Sequence, residues 1–173
     1  MLEEKKLLKK IRLWVLFFIV ALVFSGLTAF PLQWEMDIVC NILSISPDVS
    51  PETYTGLKYW IATVHQGLSD INIKYPFLAY GTDWLAFSHI VVAVAFIGLY
   101  LKPVRNKWIV YFGMIACVCV IPLALICGHI REIPFYWQMI DCSFGIFGMI
   151  PLLLLNKYIN QLEAIVGKLE YKY

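Results

Sequence analysis

Four long apolar stretches are separated by polar segments, at about 11–30, 83–101, 108–130 and 136–155. Each approaches the roughly 20 apolar residues that an α-helix needs to cross a hydrocarbon core of about 30 Å. Because lipid offers the backbone no hydrogen-bond partners, each stretch must satisfy its own amides and carbonyls as a helix. The pattern predicts an all-α polytopic membrane protein, a four-transmembrane-helix bundle that forms a single membrane domain over residues 1–173.

The composition supports a membrane protein. Apolar residues make up 61% of the 173 residues, charged residues make up 15%, and the mean hydropathy is +0.74. A soluble domain of this size could not bury so much apolar surface. The net charge of +2, without a basic run interleaved with aromatic residues, excludes nucleic acid as a partner, and the apolar content excludes disorder.

The basic residues predict the orientation. Eleven of the 14 Lys and Arg residues fall in the N-terminal segment, in the 102–107 link or after the fourth stretch, and only Lys58, Lys74 and Arg131 fall on the other side. Positively charged residues stay in the cytoplasm. Both termini are therefore expected in the cytoplasm, and residues 31–82 are expected outside it.

Residues 31–82 are too long for a plain turn and contain helical patterns. The string Ser50-Pro51-Glu52 is a typical helix start, and an apolar face follows at helical spacing at Leu57, Ile61, Val64 and Leu68. Gly67 and the following Ser-Asp pair predict the end of that helix, and a second short helix is expected over about 32–45. The two helices either lie on the bundle or the lipid headgroups, or form a lid over a pocket.

Small residues recur along the predicted spans and mark faces that pack against other helices. The second span carries Ala86 and Ala93 on one face, and in the fourth span Asp141 shares a face with Gly145 and Gly148. The third span carries a longer stripe, formed by Gly113, Cys117, Val120, Ala124 and Gly128.

Ionisable residues within spans are costly and are candidates for function. The helical phase places Asp83 and His89 beside an inward face of the second span, Arg131 beyond the stripe of the third, and Asp141 inside the fourth. We expect these groups to converge in the outer half of the bundle, with Arg131 between the two carboxylates and Trp137 nearby. Asp83, Asp141 and His89 are the candidate catalytic residues, and all five residues are candidate ligand contacts.

Other interpretations of these residues remain open. Buried Asp and Arg side chains can serve only to fix helix packing, and Asp83 after Thr82 can be a first-turn acid at a helix start. His89 and His129 could ligate a haem iron, although their predicted depths differ. Otherwise the sequence predicts no cofactor and no metal site, and it contains no zinc, phosphate-binding or nucleophile-elbow motif.

Three strings resemble those of a group of small bacterial four-span inner-membrane proteins with no assigned function. These strings are YPFLAYGTDWLAFSH at 75–89, KPVRNK at 102–107 and IPFYWQMIDCSFG at 133–145. The resemblance implies a multi-pass protein of the bacterial inner membrane and implies no activity.

Three functions are compatible with these features. The first is a membrane pocket for a small amphipathic or lipid-like ligand, in which Arg131 would hold an anionic group. The second is a structural or accessory subunit of a membrane complex or homo-oligomer, whose buried charges fix packing. The third is a redox protein that uses haem or quinone.

Overall fold

A computed structural model describes the backbone of residues 2–170 and the side chains of residues 2–167. This part of the chain contains α-helices and short 3₁₀ turns and no β-strands. The α-helices are α1 (Leu2–Ala29), α2 (Leu32–Ile42), α3 (Gly56–Lys74), α4 (Tyr80–Leu101), α5 (Trp108–Ile130) and α6 (Phe135–Glu170). The 3₁₀ turns, at Pro51–Thr53 and Pro76–Ala79, precede α3 and α4.

The structure confirms four helices that are long and apolar enough to cross a membrane. They are Leu2–Ala29, Pro76–Leu101, Trp108–Ile130 and Phe135–Gly167. The first begins nine residues before the predicted start at position 11, because Glu3 and Glu4 complement the helix dipole and the Lys-rich turns favour helix.

The last helix also exceeds its predicted bounds. Instead of ending at 155, α6 runs for 36 residues to Glu170 and passes through Pro151. Buried apolar residues recur at helical spacing along its second half, at Leu152, Leu155, Ile159 and Leu162. This apolar face continues beyond the strongly hydrophobic stretch, and it explains why the helix does not stop there.

The chain divides into two compact units. One comprises Ala21–Val92, and the other comprises the remaining described residues, 2–20 and 93–170. The boundaries fall inside α1 and α4. We refer to the first as the 21–92 unit and to the second as the α5–α6 unit.

In the α5–α6 unit, small residues allow α5 and α6 to approach closely. A Cβ atom added at Gly145 would collide with the backbone carbonyl of Cys117, and one added at Gly128 would lie 2.7 Å from Cγ of Gln138. Gly148 and Gly113 also face the opposite helix, through Cys117 and Leu152. The predicted small-residue faces of these two spans are therefore the surfaces through which α5 and α6 pack.

The 21–92 unit contains the two helices expected between the first and second spans. The helix α2 ends at Ile42, three residues before the predicted end. The helix α3 starts at Gly56, not at Ser50, because Tyr54 is extended and separates the Pro51–Thr53 turn from it. The predicted end near Gly67 was also wrong: α3 continues to Lys74, and Pro76 follows directly after its C-cap, Tyr75.

Candidate functional site

A cleft of about 340 Å³ lies in the 21–92 unit, where α1 ends and α2, α3 and α4 come together. Apolar side chains form most of its wall, and polar side chains occupy the rest. The polar members are Gln33 from α2, Asn72 from α3, and Thr82 and Asp83 from α4. The apolar and aromatic members include Phe30, Leu32, Trp34, Leu68, Ile71 and Leu78.

A second cleft of about 330 Å³ adjoins the first. Phe30 and Asp83 line both clefts, and the remaining wall of the second is aromatic, formed by Tyr80, Trp84 and Phe87. Apart from Phe30, the residues that line the second cleft lie on the first two turns of α4, within the spanning stretch Pro76–Leu101. We call the two clefts together the Asp83 cleft.

The carboxylate of Asp83 is half-buried. It forms no hydrogen bond or ion pair with any residue in the part of the chain that the structure describes. A carboxylate among aromatic side chains at the edge of a span is costly unless water, a cation or, for a first-turn residue such as Asp83, the helix N-terminus compensates it. Of the predicted candidates, Asp83 is the residue that lines a cavity in this unit.

A polar network joins α2 to α3 and forms part of the cleft wall. Gln33 donates from Nε2 to Oδ1 of Asp37 at 3.2 Å and to Oγ of Ser69 at 3.0 Å, and it accepts a bond from Nδ2 of Asn72 at 3.4 Å. Nε2 of His65 lies 2.7 Å from the same Asp37 oxygen. The network fixes Gln33 and Asn72 where they line the cleft.

Asp37 of α2 and His65 of α3 were not among the predicted site residues. Their side chains are in hydrogen-bond contact, with 12% of the His65 side chain and 49% of the Asp37 side chain exposed. The hydrogen bond from His65, and then the bond from Gln33, lower the pKa of Asp37. The i,i+4 spacings 33/37 and 65/69 were the available signal, but they show only that each pair shares a helix face.

His65 also borders a separate cavity of about 140 Å³. The loop after α2 supplies most of its wall, including Ser46, Asp48 and Ser50, and Gln66 of α3 completes it. Within the described residues, the second ring nitrogen of His65, Nδ1, has no hydrogen-bond partner. Asp37 therefore orients the His65 ring through Nε2, and the ring borders a small polar cavity.

The second predicted candidate of this unit, His89, does not line the Asp83 cleft. Its Nδ1 lies 2.8 Å from the carbonyl oxygen of Leu85, one turn earlier in α4. Since a carbonyl can only accept, Nδ1 is the donor in this bond. Its Cβ lies beside Gly26 of α1, 3.2 Å from the position that a Cβ atom added at Gly26 would take.

Three predicted site residues, Arg131, Trp137 and Asp141, lie in the α5–α6 unit. Arg131 is the exposed C-cap of α5, while Asp141 is half-buried in α6, and no ion pair joins the two. Across the described residues the structure contains no buried charged cluster. The helical phase was the basis for the expected convergence, but Arg131 follows the last residue of α5 and is not held on a helix face.

A buried polar residue that the sequence did not single out is Gln138 of α6. Its side chain is 6% exposed, and its Nε2 donates to the carbonyl oxygen of Ile133 at 2.7 Å. It packs against Gly128 of α5. Its neighbour Trp137 was more conspicuous in the sequence, because tryptophan is typical of membrane interfaces.

No group of three or more His, Cys, Asp or Glu side chains suited to a metal ion occurs among the described residues. His129, the other imidazole considered for haem, is exposed in the last turn of α5.

Comparison with known proteins gives no match to a family model, a curated protein or a solved structure.

Proposed function

We propose that this chain binds a small amphipathic or lipid-like molecule in the Asp83 cleft. The observation that carries the proposal is the junction of two cavities at Phe30 and Asp83, one partly polar and one aromatic. Ligand sites are concave, mostly apolar and supplied with a few convergent polar groups. The two cavities together have these properties.

The arrangement suits a molecule with a polar head and an apolar chain. The head would lie beside Asp83 and Thr82, within reach of Asn72 and Gln33 in the larger cavity. The apolar chain of the ligand would lie along the aromatic cavity, most of whose wall is on the spanning helix α4. This placement keeps apolar surface out of water and gives the polar head hydrogen-bonding partners.

The polar network supports the proposal, because it holds the polar wall in place. Both polar atoms of the Gln33 amide are hydrogen-bonded to α3: its nitrogen donates to Ser69, and its oxygen accepts from Asn72. The same contacts tie α2 to α3. A preformed wall costs less ordering on binding than a mobile one.

Photo-crosslinking tests the proposal directly. The full chain in maltoside micelles is labelled with a dodecanol that carries a diazirine, and labelled peptides are mapped by mass spectrometry. We expect labelling concentrated at 30–34 and 78–87. The variant Ala79→Trp, which fills the larger cavity, should reduce it several-fold, and Ala116→Trp, on an exposed position of α5, should not. Labelling spread evenly over all four spanning helices would overturn the proposal.

We also propose a multi-pass location in the bacterial inner membrane, with both termini in the cytoplasm. The excess of Lys and Arg on one side of the spans supports the orientation. In a Cys-free variant, a membrane-impermeant maleimide added to spheroplasts should label Asp48→Cys and not Arg105→Cys. Labelling of Arg105→Cys alone would show that the protein has the opposite orientation.

A further inference from the structure

We infer that the ligand of the Asp83 cleft is an amphiphile with an ammonium head group. The inference rests on the proposed function and adds the charge of the ligand to it. It differs from the sequence-based expectation, in which Arg131 would hold an anionic group. Three observations carry it: the aromatic wall, the carboxylate without a cationic side chain beside it and the charge of the 21–92 unit.

The aromatic wall is continuous along α4. The rings of Tyr80 and Trp84 lie 6.0 Å apart, centroid to centroid, and those of Trp84 and Phe87 are also 6.0 Å apart, each pair in an edge-to-face arrangement. Phe30 of α1 lines the same open cleft. Aromatic faces attract cations through the ring quadrupole, and clusters of such rings are a recurring site for quaternary ammonium groups.

The carboxylate supplies the charge that such a site needs. Asp83 lines the aromatic cavity and has no cationic partner in the described part of the 21–92 unit. Of the two lysines of this unit, Lys74 is paired with Asp70 at 3.1 Å, and Lys58 does not line the cleft. A bound ammonium group would therefore be the counter-ion that the protein itself does not place beside Asp83.

The charge of the unit as a whole acts in the same direction. Residues 21–92 contain six Asp and Glu residues and two Lys residues. An excess of one sign raises the local concentration of ions of the other sign near a cleft. An anionic head group would meet repulsion from Asp83 at short range and a weaker, screened repulsion from the unit at longer range.

Competition with the crosslinking probe tests the inference. Three molecules with the same twelve-carbon chain compete with the labelled dodecanol: dodecyltrimethylammonium, unlabelled dodecanol and dodecyl phosphate. Maltoside micelles are used because choline and ethanolamine lipids carry ammonium groups of their own. The readout is the concentration that halves labelling of 78–87. We expect the cation to act at a concentration about tenfold below that of dodecanol, and the anion above it.

Substitutions locate the origin of the preference. Asp83→Asn should bring the cation-to-dodecanol ratio close to one, and Asp83→Glu should restore most of it. Asp48→Asn removes one negative charge from the same unit away from the cleft, and it should change the ratio much less than Asp83→Asn does. Trp84→Leu should weaken competition by the cation more than competition by dodecanol.

The possible failures are distinct. Equal competition by all three molecules in the wild-type chain, with labelling still at 78–87, would overturn the inference and leave the proposed function intact. Labelling that is not localised to the cleft would overturn the proposed function. If Asp83→Asn does not fold, the wild-type order of the three competitors still decides, because it does not depend on any variant.

Discussion

A Cβ atom at Gly26 of α1 would lie 2.8 Å from the carbonyl oxygen of Ala86 in α4. The contact is to backbone, which cannot move aside as a flexible side chain can. The two helices therefore meet in the 21–92 unit at a distance that only glycine permits at this position. Ala86 is fully buried there.

This relationship predicts a large effect of a single methyl group. Gly26→Ala should lower the free energy of unfolding by about 1–3 kcal/mol, as overpacking of a well-packed contact does. Thermal unfolding in maltoside micelles is the measurement. Gly81→Ala, on α4 with no atom within 4 Å of the added Cβ, is the matched control and should not destabilise the chain. Equal unfolding temperatures for the two variants would contradict the close approach.

A second prediction concerns pH. The pKa of Asp37 is lowered in the folded state, so its pairing stabilises the fold above the unfolded-state pKa of about 3.9 and is lost as pH falls through the lower folded value. The wild-type chain should lose stability relative to Asp37→Asn as the pH is lowered from 5 to about 3. Asp48→Asn, which removes an exposed carboxylate outside the network, is the control. An equal change in stability relative to both variants would contradict the assignment to Asp37. Because Asp37 is exposed, added salt should reduce the effect.

A third prediction concerns the C-terminus of α2. Ser44 has a φ of 55°, and the amides of Ser44 and Ile45 bond back to Asn41 and Cys40, at 3.2 and 2.8 Å. This left-handed cap favours glycine. Ser44→Gly should raise the free energy of unfolding by about 1 kcal/mol. Ser46→Gly, outside the cap, should be neutral or slightly destabilising, and a loss of stability in Ser44→Gly would refute the assignment.

A fourth prediction concerns Gln138, whose amide is buried against α5. Gln138→Leu replaces the amide with an apolar side chain of similar size and leaves the carbonyl of Ile133 without this donor. The loss should be about 1–3 kcal/mol in the free energy of unfolding. Gln161→Leu, at an exposed position of the same helix, provides the comparison. A stability for Gln138→Leu that equals that of Gln161→Leu would show that the buried bond contributes nothing.

The spans could be predicted from the sequence because hydropathy over about 20 residues follows directly from the thickness of the bilayer. Their ends could not, since a helix continues wherever one face stays buried, as it does at Leu155 and Leu162 of α6. Gly67 illustrates the same limit. It weakens helix propensity by about 1 kcal/mol, which the packing of α3 overrides.

The candidate site was predictable only in part. Asp83 was found because a charge within an apolar stretch is conspicuous, and it lines the cleft. The network of Asp37 and His65 was missed, because these two residues lie on different helices and are 28 positions apart in the chain. Helical phase gives the direction of a side chain around its own axis. It does not give the neighbour that the side chain meets, and this is why Arg131 and Asp141 were expected in one cluster.

Most of the aromatic part of the Asp83 cleft lies on α4, which is long and apolar enough to cross a membrane, and this changes what the affinity for the proposed ligand would mean. A ligand with an alkyl chain enters the lipid first, at a gain of about 0.8 kcal/mol for each CH₂ group removed from water. Its concentration beside α4 then exceeds its concentration in the aqueous phase by several orders of magnitude. A cleft with weak intrinsic affinity could be filled under these conditions, and the selectivity of the proposed site would rest on the head group, because the chain contributes equally to the transfer of every competitor that carries it.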